Sequence, residues 1–345
     1  MIDLVNKRIY YDYTTRSTFG ACKEKARLGI IHGYRPKQTK SSLAFGHAIH
    51  TGWQGYYDAL TNGWHDTDGT WHFFTEEERK TSNLLWAQAA FLRDMQFTDV
   101  KIPVNIEAEE RRSLERGLAL LEAYVYRWRN EPYENILDSS GAPLTEVGFS
   151  YYLTTYEGFE IYYVGYIDRL MRSMQSGRPV IFEGKTTTQG LSVFIQQCKP
   201  NHQVTGYFKA AQELGFGATT ECVWDCTFIS DRKPDLQKAL TNRFLMYGVD
   251  IDKDFARQTT MRSPIEIAEF FIELEEDALD YARWLLGGID RRWPRNAPGS
   301  CHAFGGCQFR EVCSMNAQAI QPMLDTFFRV EKWQPWKRII GHAQD

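Results

Sequence analysis

Glu183 and Lys185 stand one residue apart in the stretch IFEGKTTT, residues 181–188. In an extended chain that spacing sends both side chains to one face. Asp168 lies fifteen positions before Glu183, where it closes the stretch YVGYID, and a short hairpin through Ser176-Gly177 brings it beside Glu183. Two carboxylates offer hard oxygen ligands to Mg²⁺ or Mn²⁺, and a lysine beside them orients or activates an attacking water. Together they outline a site for phosphodiester hydrolysis. The same stretch holds Gly184-Lys185-Thr186, the tail of a phosphate-binding loop, and this second reading fails on its own terms. The position that such a loop gives to its first glycine is Pro179, which has no amide hydrogen, and the intervening VIFE is strand-like.

The elements that must position these residues follow from periodicity. SSLAFGHAIHTGWQGYYDAL places Phe45, Ile49, Trp53 and Tyr56 at helical spacing, and ERRSLERGLALLEAYVYRWRNEP runs amphipathically until Pro132. NGWHDTDGTWHFF between them reads as a loop. From about residue 146 the period changes: EVGFSYYLTTYEGFEIYYVGYIDRLMRS is strand-rich with a turn at Glu157-Gly158, and PVIFEGKT and ECVWDCTFI continue it. NHQVTGYFKAAQELG is a helix between those last two strands, closed by Gly215. A further long helix opens at Ser263-Pro264 and closes at Gly287-Gly288. The segment RRWPRNAPGSCHAFGGCQFREVCSM is too rich in Gly, Pro and Cys to hold itself by packing, so it needs a staple.

Gly165-x-x-Asp168, fourteen residues and Glu183-x-Lys185 together resemble the PD-(D/E)xK nuclease superfamily. Gly46-x-x-x-His50 on the amino-terminal helix, Gln203-x-x-x-Tyr207 on the helix after the lysine strand, and the cysteine set narrow the resemblance to its RecB-like branch. Ile167 stands where the superfamily motif usually has proline, a departure common in that branch. The resemblance implies that His50, Asp168, Glu183 and the Gly184 carbonyl hold one or two divalent ions. It also implies that Lys185 handles the water and that Gln203 and Tyr207 position water or DNA. Glu146, at the start of the preceding strand, is a weaker candidate for the same site. His47 is the alternative metal ligand to His50; Gly46, one turn before His50, lets the backbone approach the site and favours His50. His32, His65, His72, His302 and His342 have no such support.

Seven cysteines and no signal-peptide core at the amino terminus argue against a disulfide framework and for a cytoplasmic protein, cellular or phage-encoded. Cys22 near the start and Cys301, Cys307 and Cys313 near the end resemble the ligand set of iron-sulfur nucleases, the CRISPR-associated exonucleases and the AddB nuclease domain. The implied cofactor is a 4Fe-4S cluster tying the two ends of the fold together; a four-cysteine zinc site is the alternative, since the same thiolates suit both metals. Cys222 and Cys226 alternate with Trp224 and Phe228 as core, and Cys198 falls in a polar loop.

A formal charge of -4 does not look like that of a nucleic-acid binder, but a metal site concentrates carboxylates while a local groove stays basic. Arg111-Arg112 and Arg291-Arg292 with Arg295 are candidate phosphate contacts or solvated surface. No apolar run spans a bilayer. The expected fold is α/β: a PD-(D/E)xK restriction-endonuclease-like core of mixed sheet flanked by helices, with an amino-terminal helical region and a carboxyl-terminal cysteine-rich segment. Residues 1–140 form the helical region with Cys22 and His50, 141–262 the mixed-sheet core, and 263–345 the long helix and cysteine segment. The resemblance implies a DNA exonuclease on single-stranded ends, 5′ to 3′, needing a helicase, recombinase or integrase partner if it serves recombination or CRISPR adaptation. The rival from another class is a non-catalytic DNA-binding subunit that keeps the cysteine site for structure.

Overall fold

The structure is a computed structural model that describes residues 2–37, 41–66, 68–96, 112–217, 219–302 and 306–334. Arg111 and His342 lie outside them. In chain order the principal elements are β1 (Arg8–Tyr11), α1 (Tyr13–Ala21), α2 (Ser41–Ala59), α3 (Asn83–Gln96), α4 (Leu114–Arg127), β2 (Thr145–Tyr156), β3 (Phe159–Ser173), β4 (Pro179–Thr187), α5 (His202–Glu213), β5 (Glu221–Phe228), β6 (Phe255–Met261), α6 (Pro264–Leu286) and α7 (Ala317–Phe327). They fall into two compact units. One comprises Met1–Lys37, Gly148–Tyr166 and Pro264–Asp345, the other Gln38–Val147 and Ile167–Ser263. Cys22 and His50 therefore belong to different units.

In the first unit β1 runs parallel to the leading half of β3, with Arg8 opposite Glu160 and Tyr11 opposite Tyr163. β2 and β3 form a hairpin whose turn, Glu157-Gly158, takes φ of 48° and 78°. Two left-handed residues are what a two-residue turn needs to match the twist of its strands. Asp12 caps α1 by accepting the Thr15 amide. α6 buries Ile267, Phe270, Leu274, Ala278, Tyr281 and Leu285, a stripe at helical spacing. Tyr281 packs on Tyr11 and Phe19.

The second unit holds the remaining half of β3, antiparallel to β4, which is parallel to β5, which is antiparallel to β6. The result is a mixed sheet. α5 makes the crossover that the parallel pair β4–β5 requires; Asn201 caps its start, accepting the Val204 amide, and Gly215 at φ 89° follows its end. α2, α3 and α4 bury Phe45, Ile49, Trp53, Phe91 and Leu120 in one cluster with Met171, Val180, Phe182 and Val223 of the sheet. Burying side chains of that size contributes roughly 1.5–3 kcal/mol each before chain entropy is counted.

Three local expectations change. NGWHDTDGTWHFF is a small hairpin, Gly63–His65 paired with Trp71–Phe73, because Asp66 organises the turn: its Oδ1 accepts the Asp68 and Thr70 amides at 2.9 Å each. Asp168 does not close its strand, which runs on to Ser173. Cys198 is buried, not in an open polar loop, and its carbonyl accepts from Arg262 Nη2 at 3.2 Å. Cys222 and Cys226 are core, as their alternation predicts.

Candidate active site

The β3–β4 ladder ends at Arg169 opposite Phe182. One step further the register sets Asp168 against Glu183. There the side chain takes over from the backbone: Asp168 Oδ2 accepts the Gly184 amide at 2.7 Å. Gly184 is required at this point because a Cβ would lie 2.8 Å from the Trp53 ring and 3.3 Å from Asp168 Oδ2.

Glu183 and Lys185 share a face of β4, and Lys185 Nζ donates to Glu183 Oε1. Lys185 Nζ also reaches Gln203 Oε1 at 3.4 Å, and Gln203 Nε2 donates to Tyr207 OH at 2.7 Å. Gln203 and Tyr207 sit four residues apart on α5, one turn, so their side chains meet. His50 Nδ1 on α2 lies 3.8 Å from Asp168 Oδ2, and its ring packs on Trp53. Thus His50, Asp168, Glu183, Gly184, Lys185, Gln203 and Tyr207 form one connected constellation. His47 lies beside them, its Nε2 3.5 Å from Asp94 Oδ1.

Glu183 is wholly buried. Removal from water, then the neighbouring Asp168 charge, pushes its carboxyl up to about 8, against the pull of Lys185. Burial likewise pushes the His50 imidazole down to about 4, so it is neutral at pH 7 with a lone pair to offer. Glu183 Oε2 is buried with no hydrogen-bond partner among the described residues. A buried carboxylate oxygen left open in this way fits a cation better than it fits an empty interior. Glu146 also faces the site, raising the Glu183 carboxyl further, and holds a left-handed backbone at φ 50° although it is not glycine. Strain of this kind collects at functional positions.

The site extends beyond these residues into a cleft on one side and a buried charge network on the other. A cleft of about 440 Å³ opens at the site between Ser42, Gly46, His47 and His50 on α2, Arg112, and Thr186, Thr187 and Thr188 beyond the lysine. The threonine run that mimics a phosphate loop lines it. Gly46 brings α2 close there: a Cβ would stand 2.8 Å from Thr186 Oγ1, which would have to turn aside. Behind the sheet, Arg169 donates to Asp225 at 3.1 Å, and Arg257 donates to Asp225 at 3.3 Å and to Glu131 at 2.6 and 2.8 Å. Tyr57 OH, 2.9 Å from Tyr124 OH, donates to Glu131 at 3.0 Å, and Tyr124 OH donates to Asp225. Two arginines, two carboxylates and two phenols thus pair with one another beneath Asp168 and Gly184, with Arg169 Nε the atom left over among the described residues. Only the three-dimensional pairing distinguishes them from ordinary strand and helix residues.

The cysteines are arranged differently. In the first unit the Ala21 carbonyl accepts Ser300 Oγ at 2.5 Å and Asn296 Nδ2 at 3.0 Å, which brings the residue before Cys22 against the residue before Cys301. The Cys307 amide donates to the Cys301 carbonyl at 3.0 Å. Burial, then Glu24, Cys307 and Cys22 in turn, pushes the Cys313 thiol up to about 11. All four cysteines are free thiols. Among the described residues no three His, Cys, Asp or Glu side chains stand close enough to hold one ion, either here or around Glu183. The exposed arginines of this segment each reach a neighbour in the chain: Arg295 donates to the Cys313 carbonyl at 2.7 Å, Arg292 to the Met315 carbonyl at 3.4 Å, and Arg291 lies over the Trp284 ring.

No protein-family model matches the chain, and no curated protein sequence does. Among solved structures it is similar to the one described as "Crystal Structure of LHK-Exo in complex with dAMP", with 15% identity over 70% of this chain and 96% of that one and a TM-score of 0.23. Overlap at that level carries no weight for the site. No described helix is long and apolar enough to cross a membrane.

Proposed function

We propose that the chain is a metal-dependent deoxyribonuclease of PD-(D/E)xK type, RecB-like, acting as an exonuclease on single-stranded ends with 5′ to 3′ polarity. The observation that carries the reading is Glu183: a buried carboxylate with one oxygen on Lys185 and the other open, beside Asp168. The donors that would hold Mg²⁺ or Mn²⁺ are His50, Asp168, Glu183 and the Gly184 carbonyl, whose oxygen and imidazole chemistry suits such an ion and whose side chains would have to close on it from where they stand here. The ion would supply Lewis-acid stabilisation of the phosphate and a more acidic water.

The chain's own residues do the rest. Asp168 is oriented by the Gly184 amide, and Lys185 is held between Glu183 and Gln203, where its ammonium can orient the attacking water and stabilise charge on the phosphate. Tyr207 fixes Gln203. Arg112 and Thr186 to Thr188 line the cleft through which a phosphate backbone would reach the site. For the cysteines we propose a 4Fe-4S cluster on Cys22, Cys301, Cys307 and Cys313, with zinc as the other occupant the thiolates suit. A helicase, recombinase or integrase is the kind of partner such an enzyme would serve.

The test is degradation of end-labelled single-stranded DNA with Mn²⁺ or Mg²⁺, comparing wild type, Lys185→Ala and wild type with EDTA. The expected result is cutting by wild type alone, with a product ladder that reads out polarity. Binding without cutting under either metal would overturn the enzyme and leave a DNA-binding subunit.

A further inference from the structure

α2 carries a second cleft. Gln54 lies one turn beyond His50, about 6 Å along the axis and on the same side of the helix. Together with Thr51, Asp58, Trp64, His65, Trp86 and Arg93 it lines a cleft of about 150 Å³, separate from the one at Gly46 and Arg112. Two of its walls are indoles, Trp64 and Trp86, parallel to within 16° with centroids 6.5 Å apart. Each is braced: Trp64 stacks on His72 at 4.9 Å and Trp86 on Phe74 at 4.5 Å. The hairpin that presents Trp64 is fixed by Asp66, which takes two turn amides and His72 Nε2.

The remaining wall is polar and pre-oriented. Buried Asp58 takes His65 Nδ1 at 2.9 Å and Thr145 Oγ1 at 3.2 Å, which fixes the imidazole and turns its Nε2 away from that carboxylate. Gln54 adds an amide with both donor and acceptor, and Arg93 adds a cation at the rim. Aromatic faces held rigidly beside an amide and an oriented imidazole match a planar heterocycle with hydrogen-bonding edges, and a cation nearby matches its phosphate.

We infer that this cleft is a subsite for one unpaired nucleobase of the DNA strand, stacked on Trp64 with its edge toward Gln54 and His65. The inference rests on the nuclease reading for its substrate and deepens it. Paired bases cannot reach such a cleft without leaving the helix, so the subsite selects single strands. It also sets the strand's register one helical turn from His50.

The experiment uses the full chain carrying Lys185→Ala, so that DNA is not cut. Binding is measured for an oligothymidylate of roughly 12 nucleotides and for the same backbone made of abasic residues. The intact strand is expected to bind about tenfold or more tighter, the scale of one base–aromatic stack. Trp64→Ala should remove most of that gap while leaving abasic affinity unchanged, and Trp64→Phe should retain part of it. Gln54→Ala, which leaves the indoles in place, should narrow the gap, and it serves as the test if Trp64→Ala does not fold. No gap in the parent, equal loss on both strands with Trp64→Ala, or an unchanged gap with Gln54→Ala would each overturn the subsite. Wild-type cleavage without a gap leaves the nuclease and removes the subsite; a gap without cleavage does the reverse.

Discussion

The Glu183 site and the cysteine region are two places where this chain gathers reactive side chains, and they are held by opposite means. Around Glu183 the backbone does most of the work: three strands in fixed register and two helices set Asp168, Glu183, Lys185, Gln203 and His50. A one-residue slip of β4 would turn Glu183 and Lys185 to the other face, so the buried neighbours that fix the register also fix the chemistry. Around the cysteines the described residues between Gly287 and Arg310 are irregular apart from the short turn of helix Ala297–Ser300, and they are fastened by side chains on carbonyls: Ser300 and Asn296 on Ala21, Arg295 on Cys313. Glu24 adds a buried anchor, accepting the Trp293 amide at 2.8 Å while paired with Arg27. A site built on a ladder needs no ligand to hold its shape. A site built on such fastenings gains far more from a metal that binds all its arms.

That contrast can be broken in order of expected effect. Arg169→Ala leaves Asp225 with a buried charge short of one partner and should lower unfolding free energy by roughly 3–5 kcal/mol in denaturant titration; a small loss would mean that Arg257 alone suffices. Glu183→Gln removes the proposed cation ligand from a buried position. Cleavage should fall about 10²- to 10³-fold, the scale of one catalytic electrostatic contact. The melting temperature should hold or rise, because a buried carboxylate displaced toward neutrality gives little stability as an anion. A matching fall in stability would show that Glu183 is structural.

The cysteine region should answer in reverse. Cys301→Ser with Cys313→Ser is expected to abolish bound iron or zinc by elemental analysis and to lower the melting temperature, with less loss of cleavage per folded molecule than Glu183→Gln. Unchanged metal content would remove the cysteine site from the reading. At the smaller end, Gly184→Ala sets a methyl against the Trp53 ring, which is packed on every side, and should cost about 1–3 kcal/mol. Gly46→Ala meets only a threonine hydroxyl that can rotate, while gaining helix propensity of ~1 kcal/mol, so stability should change by less than about 1 kcal/mol. Equal costs at the two glycines would show that the Thr186 rotamer is locked by the cleft.

How much of this was legible beforehand differs by residue. The long helix α6 is bounded by Ser263-Pro264 and Gly287-Gly288 because caps and breakers act within one turn of themselves, and its observed span is Pro264–Leu286. Glu183 and Lys185 meet because a strand has period two. Gln203 and Tyr207 meet because a helix brings i and i+4 together. Asp66, by contrast, turned an apparent loop into a hairpin through bonds to its own turn, which a reading of periodicity alone does not see. The Arg169–Asp225–Arg257–Glu131 network was invisible because each charge has an ordinary local context and only its partners, 32 to 126 residues away, make burial tolerable.

The sequence by itself determined which elements form and which side chains share a face, since those depend on neighbours a few residues apart. Only the tertiary structure decided that the β3–β4 ladder stops at Arg169, that Asp168 then takes the Gly184 amide, and that Glu183 is sealed from water with one oxygen unpaired among the described residues. Those outcomes depend on how separate elements close on one another. The electrostatics of a carboxylate are set by that closure and not by its neighbours along the chain.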